Sequence, residues 1–84
     1  MKEIILDCAQ IADEIQLHQA LFNALSLPEW YGHNLDALFD CLTELEEKTH
    51  LVLKNWDVHA HYSKGFESVF ADAMAYDCFD YTLE

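Results

Sequence analysis

The sequence predicts an α/β fold, a three-stranded parallel β-sheet flanked by three to four helices. Short apolar runs rich in strand-forming residues occur near the start, in the middle and at the end of the chain. The segments between them carry apolar residues at helical spacing. Because a helix between successive strands of one sheet makes a crossover connection, the strands should run parallel. With 84 residues and no internal repeat or linker, residues 1–84 are expected to form one domain.

The first half of the chain predicts a strand followed by two helices. Residues 3–6 form a short apolar, β-branched run, typical of a buried strand. Asp13 is placed to cap the first helix. The apolar spacing of that helix is carried by Ile15, Leu17, His18, Leu21, Phe22 and Leu25. Pro28 disfavours helical geometry at the preceding residue, so a loop is expected over 29–33, with Gly32 at its turn.

The second half predicts the remaining helices and strands. Asn34 is a favourable N-cap for a second helix over 35–46. The second strand is expected over 50–56, and residues 57–61 are expected to start a short helix. Ser63 is expected to cap a longer helix. The third strand alternates apolar with polar residues, the apolar ones being Phe79, Tyr81 and Leu83.

The net charge restricts the partners. The chain has sixteen acidic residues and four basic ones, all lysine, which give a formal charge of −12. This excess is larger than solubility requires of a small domain. It repels nucleic acid and anionic membranes, both of which need basic side chains for binding. It attracts a basic protein, so the prediction is a protein partner, with no direct nucleic-acid binding and no membrane contact.

Cysteine and histidine placement predicts neither a cofactor nor a metal. Cys8, Cys41 and Cys78 are odd in number and form no C-x-x-C pair, which favours buried, reduced thiols in a reducing compartment. His59 and His61 have no nearby third ligand, so surface histidines are expected there. No apolar stretch is long enough to span a membrane and the N-terminus has no signal-peptide pattern, so a cytoplasmic location is expected.

The second helix carries the most informative surface. Between Glu29 and Glu47 there are six acidic residues and no Lys or Arg. At 100° per residue, the core face of this helix holds Leu35, Leu38, Cys41, Leu42 and Leu45. The opposite face holds Asp36, Asp40, Thr43, Glu44 and Glu47. Phe39 lies at the border, and Trp30 and Tyr31 enter from the preceding loop. The pattern fits either a solvated acidic face or a protein-binding patch.

Residues 27–43, LPEWYGHNLDALFDCLT, closely resemble the signature of the barstar family, L-P-x-aromatic-Y-G-x-N-L-D-A-L-aromatic-D-C-L. Thinner similarity extends over almost the whole chain. The resemblance implies a three-stranded parallel sheet flanked by helices. It also implies an intracellular inhibitor, not an enzyme, which acts as a monomer and blocks a secreted ribonuclease of the barnase type, one inhibitor per enzyme.

The resemblance implies a set of contact residues. The family's contact positions correspond to Trp30, Gly32, Asn34, Asp36, Phe39, Asp40 and Thr43. Asp40 matches the carboxylate that occupies the enzyme's phosphate site, and Asp36 matches a second acidic contact. Asp72, on the last helix, falls at a third. Neighbouring positions on the same predicted surface are Tyr31, Glu44 and Tyr76.

Several residues on this surface depart from the best-known family pattern. Trp30 replaces a tyrosine, Phe39 a tryptophan, Glu44 a glycine and Leu45 an aromatic residue. Tyr76 stands where an acidic contact is expected. These departures bear on the identity of the target more than on the fold.

Three functions are therefore compatible with the sequence. The first is a ribonuclease inhibitor whose carboxylates mimic RNA phosphate and engage the enzyme's basic groups. The second is an immunity protein against a delivered nuclease toxin. The third is an acidic interaction module for a basic partner that is not a nuclease. Catalysis by Asp36 with Asp40 is disfavoured, because a chain this short has little material for an enclosed active site.

Overall fold

The computed structural model describes the whole chain, Met1–Glu84. Its three strands are β1 (Lys2–Asp7), β2 (Thr49–Lys54) and β3 (Phe79–Leu83). They pair in parallel in the order β1-β2-β3, which places β2 in the centre. The helices are α1 (Glu14–Leu25), α2 (Leu35–Thr43), α3 (Ser63–Ala73) and a one-turn 3₁₀ helix (Met74–Tyr76). The predicted fold class is confirmed.

The two faces of the sheet differ in burial. Leu51 and Leu53 in β2 are fully buried on the face that packs against the helices. On the opposite face Ile5 of β1 is 56% exposed. Here the His50 ring bridges β2 and β3, with Nδ1 3.0 Å from an Asp80 carboxylate oxygen and Nε2 2.8 Å from the Thr82 hydroxyl. The helices thus form one core against one face of the sheet.

The core joins all three helices to the sheet. Its fully buried side chains lie on one stripe of each helix and on the inner face of the strands. The largest of them are Phe66, Phe70, Phe79, Leu17, Leu21, Leu38, Leu42, Leu51 and Leu53. This arrangement holds α2 by its leucine face and leaves its acidic face outside.

Helix α1 begins as predicted but uses a narrower apolar face. The Asp13 carboxylate accepts a 2.9 Å hydrogen bond from the Gln16 N–H, which confirms the predicted N-cap. The helix ends at Ser26, whose left-handed backbone (φ 53°) brings the Leu27 N–H back to the Phe22 carbonyl at 3.1 Å. Ile15, although part of the apolar spacing, is 73% exposed, because it lies outside the stripe that faces the sheet.

Helix α2 ends earlier than the predicted 35–46. Thr43 is its last residue, and Glu44 leaves helical geometry (φ −120°, ψ 19°). The Thr43 hydroxyl donates to the Asp40 carbonyl at 3.1 Å, which satisfies one of the free carbonyls of the last turn. Acidic residues are unfavourable at a helix C-terminus, so the glutamates that follow Thr43 do not extend it.

The segment between β2 and α3 also differs from the prediction. Strand β2 stops at Lys54 because Asn55 takes a left-handed conformation (φ 58°). Residues 57–61 form turns and no helix, since the Asp57 carboxylate binds the His59 N–H at 2.9 Å in an Asx-type turn. Ser63 is the first residue of α3 and not its cap; its hydroxyl donates to the Asp57 carbonyl.

The three cysteines are free, as expected, but only Cys8 and Cys41 are buried. Burial raises the pKa of the Cys8 thiol to about 11, and the nearby Asp7 adds to this. Cys78 is partly exposed, with its Sγ donating to the Leu42 carbonyl at 3.1 Å. The expectation of a buried Cys78 is therefore wrong, because the residue precedes β3 at the margin of the core.

Candidate protein-binding face

The loop between α1 and α2 is anchored by Tyr31. Its side chain is only 4% exposed, and its hydroxyl lies 2.5 Å from Nδ1 of His18, which is equally buried. The Tyr31 N–H also binds the Pro28 carbonyl at 2.9 Å. Tyr31 was predicted as a binding residue, but the structure turns its ring inward, so it supports the surface from beneath.

The His18–Tyr31 pair is neutral as well as buried. Burial lowers the pKa of His18, the adjacent His33 lowers it further, and Glu14 opposes both. Burial raises the pKa of the Tyr31 hydroxyl, with Cys41 contributing. A neutral imidazole and a neutral phenol therefore share one hydrogen bond, which avoids placing a charge in the core.

The rings of Phe22, Tyr31 and His33 stack where the loop meets α1. The Phe22 and Tyr31 ring centroids are 6.3 Å apart at 18°, and those of Tyr31 and His33 are 4.9 Å apart. His33 is solvent-exposed and takes a left-handed backbone (φ 54°). The stack fixes the loop immediately before α2 begins.

Asn34 and Gly32 set the start of α2. The Asn34 side-chain oxygen accepts a 2.8 Å hydrogen bond from the Ala37 N–H, so the predicted N-cap is confirmed. Its amide also donates to the Gly32 carbonyl at 3.3 Å. A Cβ on Gly32 would lie 2.9 Å from the Asn34 amide nitrogen, so any larger residue would displace the cap.

Helix α2 presents a row of carboxylates to solvent. Asp36 and Asp40 are exposed one turn apart, and Glu44 follows just beyond the helix. The one contact within 4 Å between a basic and an acidic side chain in the protein joins His50 to Asp80, so none of the lysines neutralises this row. The carboxylates repel each other without an internal counter-ion.

Aromatic residues border the row on the side of α3. The Phe39 ring, half-buried, meets the Tyr76 ring edge-on at 5.6 Å, and Tyr76 is 56% exposed. Asp72, near the end of α3, is also exposed. α2 packs against α3, and the Phe39–Tyr76 contact brings the 3₁₀ turn that follows α3 to the side of the row.

On the other side of the row stands Trp30, 62% exposed. It borders a cavity of about 490 Å³ that also contacts Glu44, Glu46, Glu47 and Lys2. The last three were not predicted as site residues. The acidic run 44–47 is visible in the sequence, but its position beside β1 depends on how β1 and β2 pair.

The exposed predicted residues thus surround α2 on three sides. We call the acidic face the surface formed by the following residues: Trp30, Gly32, Asn34, Asp36, Phe39, Asp40, Thr43, Glu44, Asp72 and Tyr76. Its centre is a regular helix whose leucine face is buried and which packs against α3, so the carboxylates are held on a rigid scaffold. Such a surface can bind cationic groups of another protein.

Comparison with known proteins decides the family. The family model described as "Barstar (barnase inhibitor)" matches residues 1–79, which include the whole acidic face. The chain belongs to the barstar family. Among curated relatives of the barstar family, the Bacillus subtilis (strain 168) protein named "Putative ribonuclease inhibitor YrdF" is 40% identical over 73 residues, covering 86% of this chain and 76% of that protein. The resemblance carried by residues 27–43 is therefore confirmed at the level of the barstar family.

The helices of this barstar-family chain are short. None of them is long and apolar enough to cross a membrane.

Proposed function

We propose that this protein inhibits a basic ribonuclease by inserting the acidic face into the enzyme's active site. Asp40 takes the position of a scissile phosphate, and Asp36 engages a second cationic group. The loop from Trp30 to Asn34 and the Phe39–Tyr76 edge contact the rim of that site. The protein acts as one inhibitor per enzyme.

The observation that carries the proposal is the unpaired carboxylate row on α2. Asp36 and Asp40 are exposed, no lysine lies within 4 Å of them, and the chain as a whole carries −12. A row of like charges lowers the stability of a helix, so the presence of this row on a rigid surface is best explained by a cationic partner. Membership of the barstar family and a relative named as a ribonuclease inhibitor support the same partner.

The chemistry follows from what a ribonuclease must do. Its active site holds a phosphate with Arg, Lys and His side chains, and a carboxylate accepts hydrogen bonds from the same groups. A guanidinium can bind a carboxylate through two parallel N–H donors, which adds direction as well as strength. Because both charges leave water on binding, the gain depends on complete pairing. The inhibitor needs no reaction of its own.

The test is titration of the protein against several barnase-type ribonucleases in an RNA-cleavage assay. We expect stoichiometric inhibition of at least one of them, and association that slows as salt is raised, because steering is screened over about 8–10 Å at physiological ionic strength. A folded sample that inhibits none of these enzymes at micromolar excess would refute the ribonuclease target. A non-nuclease captured as the sole stoichiometric partner would favour an interaction module instead.

The position of the binding face is tested separately. Asp40→Ala should weaken inhibition far more than Glu3→Gln, which removes a charge from the exposed strand β1. Equal effects of the two substitutions would place the binding surface elsewhere.

A further inference from the structure

A cavity lies beside the acidic face, at the C-terminal end of α2. It has a volume of about 490 Å³ and opens between the edge of β1, the end of α1 and the segment that joins α2 to β2. Its apolar wall includes Ile4, Leu25 and Leu45. The exposed indole of Trp30 forms another part of the lining. The cavity is large for a single side chain and falls within the range of small-ligand pockets.

The polar part of the lining is predominantly negative. Glu44, Glu46 and Glu47 contribute three carboxylates, and Lys2 contributes the one lysine. The Lys2 ammonium lies more than 4 Å from every carboxylate oxygen, so it does not neutralise any of them through a direct ion pair. A cationic group that enters the cavity therefore meets free carboxylates next to an aromatic ring.

This combination favours a guanidinium. An arginine can stack its planar head on an indole and at the same time donate paired hydrogen bonds to a carboxylate. Its methylene stem matches the apolar wall. A lysine ammonium is more strongly hydrated and has no planar face to stack, so it fits the indole less well.

Two other occupants are disfavoured by charge. A nucleotide or other phosphate would be repelled, because the cavity offers it three carboxylates and only one lysine. A second copy of this chain has no arginine to offer and brings a charge of −12 against −12. A basic protein remains the occupant with matching charge.

The position of the cavity separates it from the phosphate-mimicking carboxylates. Glu44 stands four residues beyond Asp40, and Glu46 and Glu47 lie past the end of α2, in the segment that leads to β2. A group held by Glu46 and Glu47 is therefore a different one from the cation that pairs with Asp40.

We propose that this cavity receives an arginine-bearing loop of the ribonuclease, outside its active site, and so selects which enzyme is inhibited. The proposal rests on the proposed function, because it assumes that the acidic face docks on a ribonuclease. Trp30 and Glu44 belong to both regions, which makes the cavity a continuation of the acidic face.

The experiment measures dissociation constants with a purified barnase-type ribonuclease that the wild-type protein inhibits. Lys2→Gln removes the lysine that lines the cavity and should tighten the complex about threefold relative to Lys54→Gln, a matched loss of charge from another exposed site on the sheet. Loss of folding cannot produce a gain in affinity. Glu47→Gln should weaken the complex about fivefold relative to Glu3→Gln.

The partner side is tested by replacing each surface arginine of the ribonuclease with glutamine. Double-mutant cycles with Glu47→Gln should show coupling to one arginine and to no residue of the catalytic centre. Cavity variants that match their controls, or coupling to no arginine, would overturn the cavity proposal while inhibition by the wild-type protein stands. A wild-type protein that binds none of the ribonucleases would instead overturn the proposed function, and the cavity proposal with it.

Discussion

Asp40→Ala is expected to make the protein more stable and a worse inhibitor. Asp40 is exposed on α2 with Asp36 four residues before it and Glu44 four residues after it, and no cation lies within 4 Å. Its side chain is not among the hydrogen-bond acceptors, since Thr43 binds its backbone carbonyl. Alanine therefore removes repulsion and no favourable internal contact of the side chain.

The gain in stability can be built from two contributions. Each like-charge pair at this spacing costs about 0.2–0.5 kcal/mol, and the pair with Glu44 is the weaker because Glu44 lies outside the helix. Alanine exceeds aspartate in helix propensity by up to about 0.7 kcal/mol. The free energy of unfolding should rise by about 0.5–1.5 kcal/mol, or a few degrees in Tm for a domain of this size.

The loss in binding should be much larger. If Asp40 pairs with a desolvated guanidinium, removing it leaves a buried charge without a partner, at a cost of about 3–5 kcal/mol. The dissociation constant should rise between about 100-fold and 4,000-fold.

Urea unfolding and calorimetric titration against an inhibited ribonuclease measure the two effects on one preparation. Ser68→Ala, an exposed change on α3, is the control for helix propensity without charge. The difference in stability between the two variants should shrink as salt rises, because only repulsion is screened. A less stable Asp40→Ala protein, or one that binds as tightly as wild type, would refute the reasoning.

Three further predictions concern the scaffold. Because burial lowers the pKa of His18 from 6.5, the unfolded chain takes up a proton at higher pH than the folded protein does, and stability should fall as pH drops below about 6.5. Urea unfolding at several pH values should show this fall as a slope of the unfolding free energy against pH, and His18→Gln should reduce that slope. A slope that His18→Gln leaves unchanged would contradict this. Asn34→Ala should lower the free energy of unfolding by about 1 kcal/mol, because it removes the 2.8 Å capping hydrogen bond, and should weaken inhibition by loosening the loop. Urea unfolding measures the first effect and the RNA-cleavage assay the second. A variant as stable as wild type would argue against the cap. Iodoacetamide should modify the partly exposed Cys78 before the buried Cys8, whose pKa is about 11. Peptide mass mapping over time measures the order, and alkylation of Cys8 before Cys78 would contradict the burial of Cys8.

The sequence was most informative where a feature depends on neighbouring residues. Asp13 and Asn34 were identified as N-caps because capping uses one side chain and an N–H three residues away. The third strand was located correctly because apolar and polar residues alternate over Phe79–Leu83. Ser63 failed as a cap because its hydroxyl reaches back six residues to Asp57, a contact outside the local capping pattern.

The candidate face was predicted in part for the same reason. Asp36 and Asp40 are a turn apart on an amphipathic helix, so their shared exposure follows from helical geometry. Tyr31 could not be placed in this way. Its pattern is that of an exposed loop aromatic, and only the presence of His18, thirteen residues earlier on α1, turns its hydroxyl inward.

By itself the sequence determined the α/β class, the caps of the first two helices, the acidic row on α2 and the family, since these depend on local periodicity, charge and a contiguous signature. The tertiary structure decided that Tyr31 is buried and that Glu46 and Glu47 share a cavity with Lys2. Those features arise from packing between segments far apart in the chain. Each depends on which surfaces come into contact when the sheet assembles, and the local sequence pattern does not determine those contacts.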